Sequence, residues 1–415
     1  MSGLRDLEKP AHTAAAALSA LLLMLAGCGG GEGGTDEADD PFFRLPEDGF
    51  SRPVRVSEDL SFHAVTTSHH HSCGLQPDGR VWCWGSNEYG QLGSSAPMQR
   101  CAGDNFPCSG TPVPLDGGRT FASLAASIRH TCAIDMKGQV WCWGFGEGGQ
   151  LGDGRRENSP VPVAIAGGLH VSAIAGSVSG NVNCALTSAG EAWCWGPDFD
   201  GALGNGTREG SDVPVRVLTN DTFISISVGQ SHACAVTTAG DAYCWGLNWF
   251  GTLGVGSAGG EGGISRSTVP LPVIGALKFT RIAAGGEHTC ALDRDGRAYC
   301  WGLGHLTGTV GAASYVASPV RVAGERTYVE ISAGFAHTCA LTSAGQIDCW
   351  GENFDGKLGN GAFADSETPV RVDSGEIFTG VAAGGAHTCA VSAAQVAWCW
   401  GGNPWGGVGR PPSDP

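Results

Sequence analysis

The chain has 415 residues, of which 68 are glycine and 42% are hydrophobic, so it carries enough apolar material for a large core and is not broadly disordered. Its formal net charge of −16 excludes a surface built to neutralise phosphates and disfavours an anionic membrane, because both need clustered Lys and Arg. The length admits one large closed β fold as readily as two ordinary domains, so domain count rests on pattern.

Residues 1–27 read as a secretory signal. Arg5 and Lys9 precede the apolar run Ala14 to Ala26, too short to span a bilayer comfortably and right for a signal-peptide core, although Asp6 and Glu8 dilute the basic stretch. The run ends in Leu25-Ala26-Gly27-Cys28, which resembles the lipobox of bacterial lipoproteins. That resemblance implies cleavage before Cys28 and acylation of its thiol; an ordinary secretory signal with a chance cysteine is the competing reading. Gly29 stands where, in some bacteria, aspartate is associated with inner-membrane retention, which favours an outer-membrane address. Residues 28–52 begin with the acidic, Gly-rich CGGGEGGTDEADD and read as a flexible tether.

Residues 53–411 repeat. A Cys-Trp-Gly step recurs seven times, at Trp84, Trp143, Trp195, Trp245, Trp301, Trp350 and Trp400. A proline followed by alternating apolar residues opens each copy, at Pro53, Pro112, Pro160, Pro214, Pro270, Pro319 and Pro369, spaced 48 to 59 residues apart. A period near 50 built from short strands and glycine turns predicts a seven-bladed β-propeller, an all-β fold.

Each CWG cysteine has a partner ten residues upstream: Cys73 with Cys83, Cys132 with Cys142, Cys184 with Cys194, Cys234 with Cys244, Cys290 with Cys300, Cys339 with Cys349 and Cys389 with Cys399. The turn chemistry of Pro77-Asp78-Gly79 makes the first pair a hairpin with Cys73 opposite Cys83 and Leu75 opposite Val81. Alternation puts cysteines and aliphatics on one face and Trp82 and Trp84 on the other, which suits a blade packed between two neighbours. Directly opposed residues lie about 4.5 to 5.5 Å apart at Cα, within disulfide reach, so one bridge per blade is expected, in keeping with a secreted chain. Cys101 and Cys108, inside an insertion from Ser94 to Gly110, pair by elimination, although connectivity does not follow from sequence alone.

A histidine stands two residues before the first hairpin cysteine in six copies, at His71, His130, His232, His288, His337 and His387, with Val182 in the third. Zinc would need about four converging ligands with thiolate cysteines, whereas each blade offers one histidine and two cysteines committed to each other. No metal or other cofactor is expected; the repeat histidines read as buried groups with backbone partners, and His69 and His70 as surface residues beside a turn.

Stretches such as GEHTCALDRDGRAYCWG and HSCGLQPDGRVWCWGSNEYGQLG resemble the repeats of the regulator of chromosome condensation family. The resemblance implies seven four-stranded blades with terminal segments sharing one blade; whether the Pro53 strand completes the first or the last stays open. The family's guanine nucleotide exchange role for a nuclear GTPase does not fit a lipobox, dense cysteine pairs and an acidic balance. A secreted bacterial β-lactamase inhibitor of this repeat type binds its target through aromatic residues on one rim. The loops after each WG here carry Tyr89, Phe199, Trp249, Phe250, Phe354 and Trp405 among Glu88, Asp198, Asp200, Glu352 and Asp355. Two readings stand: the aromatics form a binding rim, or they fold inward and cap blade ends.

No nucleophile elbow, phosphate loop or HExxH helix is present in the sequence, and the carboxylates are not paired as an acid and a base. The expectation is a monomeric, non-catalytic propeller, lipid-anchored outside the cell at the envelope, that binds a protein or a glycan and no nucleic acid. A secreted enzyme or enzyme inhibitor using the rim is the alternative.

Overall fold

The structure, a computed structural model, describes residues 49–101, 106–260 and 262–411. The predicted signal, Cys28 and all but the last four residues of the predicted tether lie outside them.

Seven antiparallel sheets form the seven expected blades. Blade 2 shows the plan: an inner strand Phe121–Ala126, a second strand His130–Asp135, a third Val140–Gly144 and an outer strand Ser159–Ala164. Blade 1 adds a short fifth strand, Gln99–Arg100, from its insertion. The last blade takes Phe378–Ala383, His387–Ser392 and Ala397–Gly401 from the C-terminal end and Phe50–Arg55 as its outer strand. Ring closure therefore joins the two ends in the last blade. The outer strand starts at Phe50, three residues before the boundary read from Pro53.

The proline strands close blades structurally rather than open them: six pair as the outer strand with the CWG strand preceding them, and the Pro53 strand with the CWG strand of the last blade. In that pairing the register slips, as between Ser211↔Gly196 and Val215↔Cys194, and Pro214 sits inside the slip. Proline donates no ladder hydrogen bond, so an irregular edge position is where it is tolerated.

The hairpins match the expected register: Cys73 faces Cys83 and Leu75 faces Val81. Disulfides join all seven hairpin pairs and Cys101 to Cys108. Cα separations are 4.0 Å for Cys73–Cys83 and 5.9 Å for Cys101–Cys108. The core is a set of seven slabs, one in each seam. In the seam between blades 1 and 2 the Cys73 and Cys83 face packs on Ala133 and Trp143 of the next blade. Each of the seven CWG indoles is fully buried; at roughly 200 Å² apiece, this removes about 5 kcal/mol of apolar exposure per residue.

A polar circuit crosses the same seams. The imidazole Nε2 of one blade meets a side chain of the next: His71 with Thr131 at 2.8 Å, His130 with Asn183 at 3.0 Å, His232 with Thr289 at 2.9 Å, His288 with Thr338 at 2.7 Å, His337 with Thr388 at 2.8 Å and, closing the ring, His387 with Ser72 at 2.6 Å. The expected backbone partners are therefore neighbouring side chains. Thr131, Thr289, Thr388 and Ser72 each donate their hydroxyl hydrogen to a carbonyl, that of Gln91, Thr252, Lys357 and Gly407 respectively. With its one hydrogen committed, the hydroxyl accepts from the imidazole, which assigns the Nε2–H tautomer. The indole N–H groups of Trp143, Trp301, Trp400 and Trp84 donate to those same four carbonyls. These commitments make the histidines and cysteines architecture.

Candidate functional site

The propeller has two distinct ends. The hairpin turns lie at one; at the other, seven loops after the WG steps surround an inner ring of turns linking inner and second strands. Inner turns bond to their neighbours, as in Phe335 N–H to Gly384 O at 3.0 Å and Gly385 N–H to Ser68 O at 3.1 Å.

Five of the seven WG loops are fixed by one side chain. Asn87, Asn248, Asn353 and Asn403 accept through Oδ1 from the backbone N–H of Leu92, Leu253, Leu358 and Val408, and Asp198 accepts from Leu203. Asp198 also accepts from Gly201 and Ala202. It is a loop organiser, so this carboxylate does not belong to a contact surface.

The six predicted rim residues divide. Phe199, Trp249 and Phe354 stand out at 80%, 56% and 57% exposure. Tyr89, Phe250 and Trp405 are half-buried. Tyr89 leans on Phe145 with ring centroids 4.8 Å apart, under the Arg129 guanidinium. Trp405 covers His70 at 4.2 Å, and His69 packs between His70 and Phe335. His69 and His70 are thus half-buried rather than at the surface; burial first, then nearby positive charge, lowers their pKa values to about 4 and about 3.

Further residues join the exposed three. Phe106, Ile264, Val310, Tyr315 and Phe363 are exposed in the same loops or at their junctions with outer strands. Every exposed aromatic among the described residues lies at this end, mostly across blades 3 to 6, whereas the hairpin end exposes aliphatics such as Met136, Leu218 and Ile274. Isolated apolar residues in glycine-rich loops lack the periodicity that would have revealed them.

Charge accompanies the arc. Arg266 of blade 4 pairs with Asp200 at 3.0 Å and bonds the Phe199 carbonyl, steadying the blade 3 loop. In blade 6 the buried Lys357 ammonium lies 3.6 Å from Glu352, 4.0 Å from Asp355 and 4.3 Å from the centre of the Phe354 ring. Burial lowers the Lys357 pKa and raises that of Asp355 to about 6. His305, 3.7 Å from Glu352, is raised by that carboxylate.

A ring of disulfide-stapled blades with loops of fixed backbone and variable tips at one end defines a repeat propeller of the interaction type. The Regulator of chromosome condensation (RCC1) repeat matches residues 62–91, 223–251, 279–305 and 328–357 in one form and 78–134, 137–185, 189–236 and 344–391 in another. The chain belongs to the RCC1 repeat family, a family of protein-interaction modules. It is 30% identical over 261 residues to the mitochondrial RCC1 domain-containing protein RUG3 of Arabidopsis thaliana, covering 61% of this chain and 56% of that protein. It is 30% identical over 158 residues to the human E3 ubiquitin-protein ligase HERC2, 36% of this chain and 3% of that protein. The chain thus spans under two thirds of these relatives. Human WBSCR16 superposes with a TM-score of 0.71 at 20% identity over 85% of this chain and 89% of that one. Prp20p from Saccharomyces cerevisiae, described by its binding to Gsp1p and histones, superposes at 0.66 with 21% identity over 82% of each chain.

Proposed function

We propose that the protein is a non-catalytic binding module, lipid-anchored through Cys28 at the outside of a bacterial envelope, that docks a protein partner on the WG-loop end across blades 3 to 6. One observation carries the docking reading: among the described residues the exposed aromatics lie at that end, and Phe199, Trp249 and Phe354 stand on loops whose backbones are pinned by Asx side chains. Rigidly mounted aromatics give contact area with little ordering cost, the usual chemistry of binding hot spots. The binding of Gsp1p and histones by Prp20p is in keeping with a protein ligand. Eight disulfides among the described residues support an oxidising compartment.

Crosslinking in the native envelope identifies the partner, and its affinity for variants tests the surface. Trp249→Ala is expected to weaken binding about tenfold or more, and the triple Phe199→Ser, Trp249→Ala, Phe354→Ser to abolish it. Met136→Ser with Leu218→Ser, at the hairpin end, leaves it unchanged. The reverse pattern sinks this docking surface, and retention on a glycan without any protein partner replaces the protein reading.

The anchor has its own test. Metabolic labelling with an alkynyl fatty acid is expected to tag the wild-type protein, whereas Cys28→Ser is untagged and moves to the soluble fraction. Labelling that persists in Cys28→Ser rules out acylation at that thiol.

A further inference from the structure

Blade 6 departs from its six siblings at one position. The residue before the second hairpin cysteine is Trp82, Trp141, Trp193, Tyr243, Tyr299 and Trp398 elsewhere and Asp348 here. Asp348 is fully buried; its Oδ1 accepts from Arg326 Nη1 and Arg371 Nε, both at 2.7 Å, and its Oδ2 accepts from the Tyr328 hydroxyl at 3.1 Å. Tyr328 stands where blades 1, 2, 4, 5 and 7 have Phe62, Phe121, Phe223, Phe279 and Phe378. Where blades 4 and 5 have the ring contacts Phe223–Tyr243 and Phe279–Tyr299, blade 6 has the Tyr328–Asp348 hydrogen bond, and Tyr328 keeps its ring contact with Trp350.

The exchange re-aims an arginine. Arg55, Arg216 and Arg321, at the same place in other outer strands, bring Nη nitrogens to Glu58, Glu191 and Glu325 at 2.7, 3.0 and 2.9 Å. Arg371 is gripped from inside through Nε, and among the described residues it forms no ion pair with any carboxylate other than that of Asp348. Beside it lies a cavity of about 400 Å³ walled by Arg371, Gln346, Ser374, Ile347, Val372 and Ile377, a volume typical of small-ligand sites.

We propose that this cavity binds an organic carboxylate with an apolar body, held by the Nη edge of Arg371 and lying on the exposed side chains of Ile377 and Ala344. A guanidinium already fixed by a buried carboxylate presents two parallel N–H donors at little further entropic cost, which suits a carboxylate. Two arginines against one aspartate leave the cluster a net positive charge. Glu376 also walls the cavity and opposes the anion, which limits affinity without occupying Arg371. The carboxylate comes either from a small acid or from a peptide C-terminus.

Titration of the full-length protein with 3-phenylpropionate, followed by calorimetry, is expected to show saturable binding. Its neutral amide and inorganic phosphate bind at least tenfold more weakly. Arg371→Gln weakens the acid at least tenfold, and so does Ile377→Asp, a change at a side chain 61% exposed that leaves the core intact. Glu376→Gln tightens it several-fold, and Arg321→Gln in blade 5 has no effect. A dipeptide ending in phenylalanine that binds more tightly than the acid assigns a peptide terminus; weaker binding assigns a small acid. Absence of saturation by the acid and the dipeptide alike, equal affinity for phosphate, or full affinity in both Arg371→Gln and Ile377→Asp overturns the proposal.

Discussion

Acidification from pH 7 to about pH 5 is expected to remove a large part of the propeller's folding free energy with its disulfides intact. The six seam histidines are buried; desolvation, the first cause in each, lowers His71, His288 and His387 to about 3 and His130 and His232 to about 4, and lowers His337 well below its ordinary value. The geometry explains the direction: the hydrogen-bonded Nε2 already carries its proton, and a second on Nδ1 enters a dry site, where Nδ1 of His130, His288 and His337 has no partner. A histidine whose folded pKa lies below its unfolded value contributes its full stability above about pH 6.5 and loses it as pH falls toward the folded value. Within that window each unfolded histidine holds about one more proton than its folded counterpart, so stability drops by about 1.4 kcal/mol per pH unit for each. Because the unfolded imidazole is only half protonated at about pH 6.5, each loses about 2 kcal/mol between pH 7 and 5, and six together about 10 kcal/mol, comparable with a typical folding free energy of about 5–15 kcal/mol. Asp200, Glu287, Glu330 and Asp355, raised mainly by burial, work in the opposite sense and soften the slope. Denaturant titrations under non-reducing conditions across pH 4.5–7.5 measure the effect. His232→Gln, whose amide can still donate to Thr289, is expected to lower the slope by about 1.4 kcal/mol per unit. A slope unchanged in that variant, or a stability flat down to pH 5, rules out histidine linkage.

The architecture was legible because the repeat reports one blade seven times over. Alternation around Cys73 and Cys83 assigns faces, and a chain apolar on both faces has to be stacked. What alternation cannot tell is which residue lies across a seam, since His71 and Thr131 are 60 positions apart and belong to neighbouring blades. The hydroxyl one position after five of the six histidines was in plain view, with Ala233 following His232, yet nothing in a single blade shows that it serves the blade before. The rim was half legible for a related reason. Phe199 and Trp405 sit in similar glycine-rich loops, and only the neighbours decide their fate: Phe199 meets solvent, while Trp405 meets His70, which is peculiar to the first copy. Asp348 was likewise visible as a broken pattern, but its meaning depends on Arg326 and Tyr328 from one segment and Arg371 from another converging on it.

Reinstalling the circuit at its one gap is expected to show strong coupling between two positions 51 residues apart. Where the other blades have histidine, blade 3 has Val182, and where its partner would stand blade 4 has Ala233, so both ends of the missing bond are apolar together. Both are buried in one hydrophobic slab with Val228, Ala235 and Trp245. Val182→His alone buries an imidazole whose Nε2–H faces a methyl group, at a cost of about 1–3 kcal/mol for the unmade bond plus a similar amount for overpacking. Ala233→Thr alone adds a hydroxyl that can donate to the Ala202 carbonyl, already the acceptor of the Trp245 indole N–H at 2.9 Å, so its loss is mainly steric. Together the two side chains recreate the link found in the other seams, and the double variant is expected to exceed the sum of the singles by at least about 1 kcal/mol. The cycle is measured by denaturant titration at pH 7.5, where the buried seam imidazoles are neutral, and repeated at pH 6. The recovered stability then shrinks, because the new imidazole joins the acid-sensitive set. Additivity within about 0.5 kcal/mol at pH 7.5 would show that the seams are held by their apolar slabs and that the circuit of imidazoles is a passenger in them.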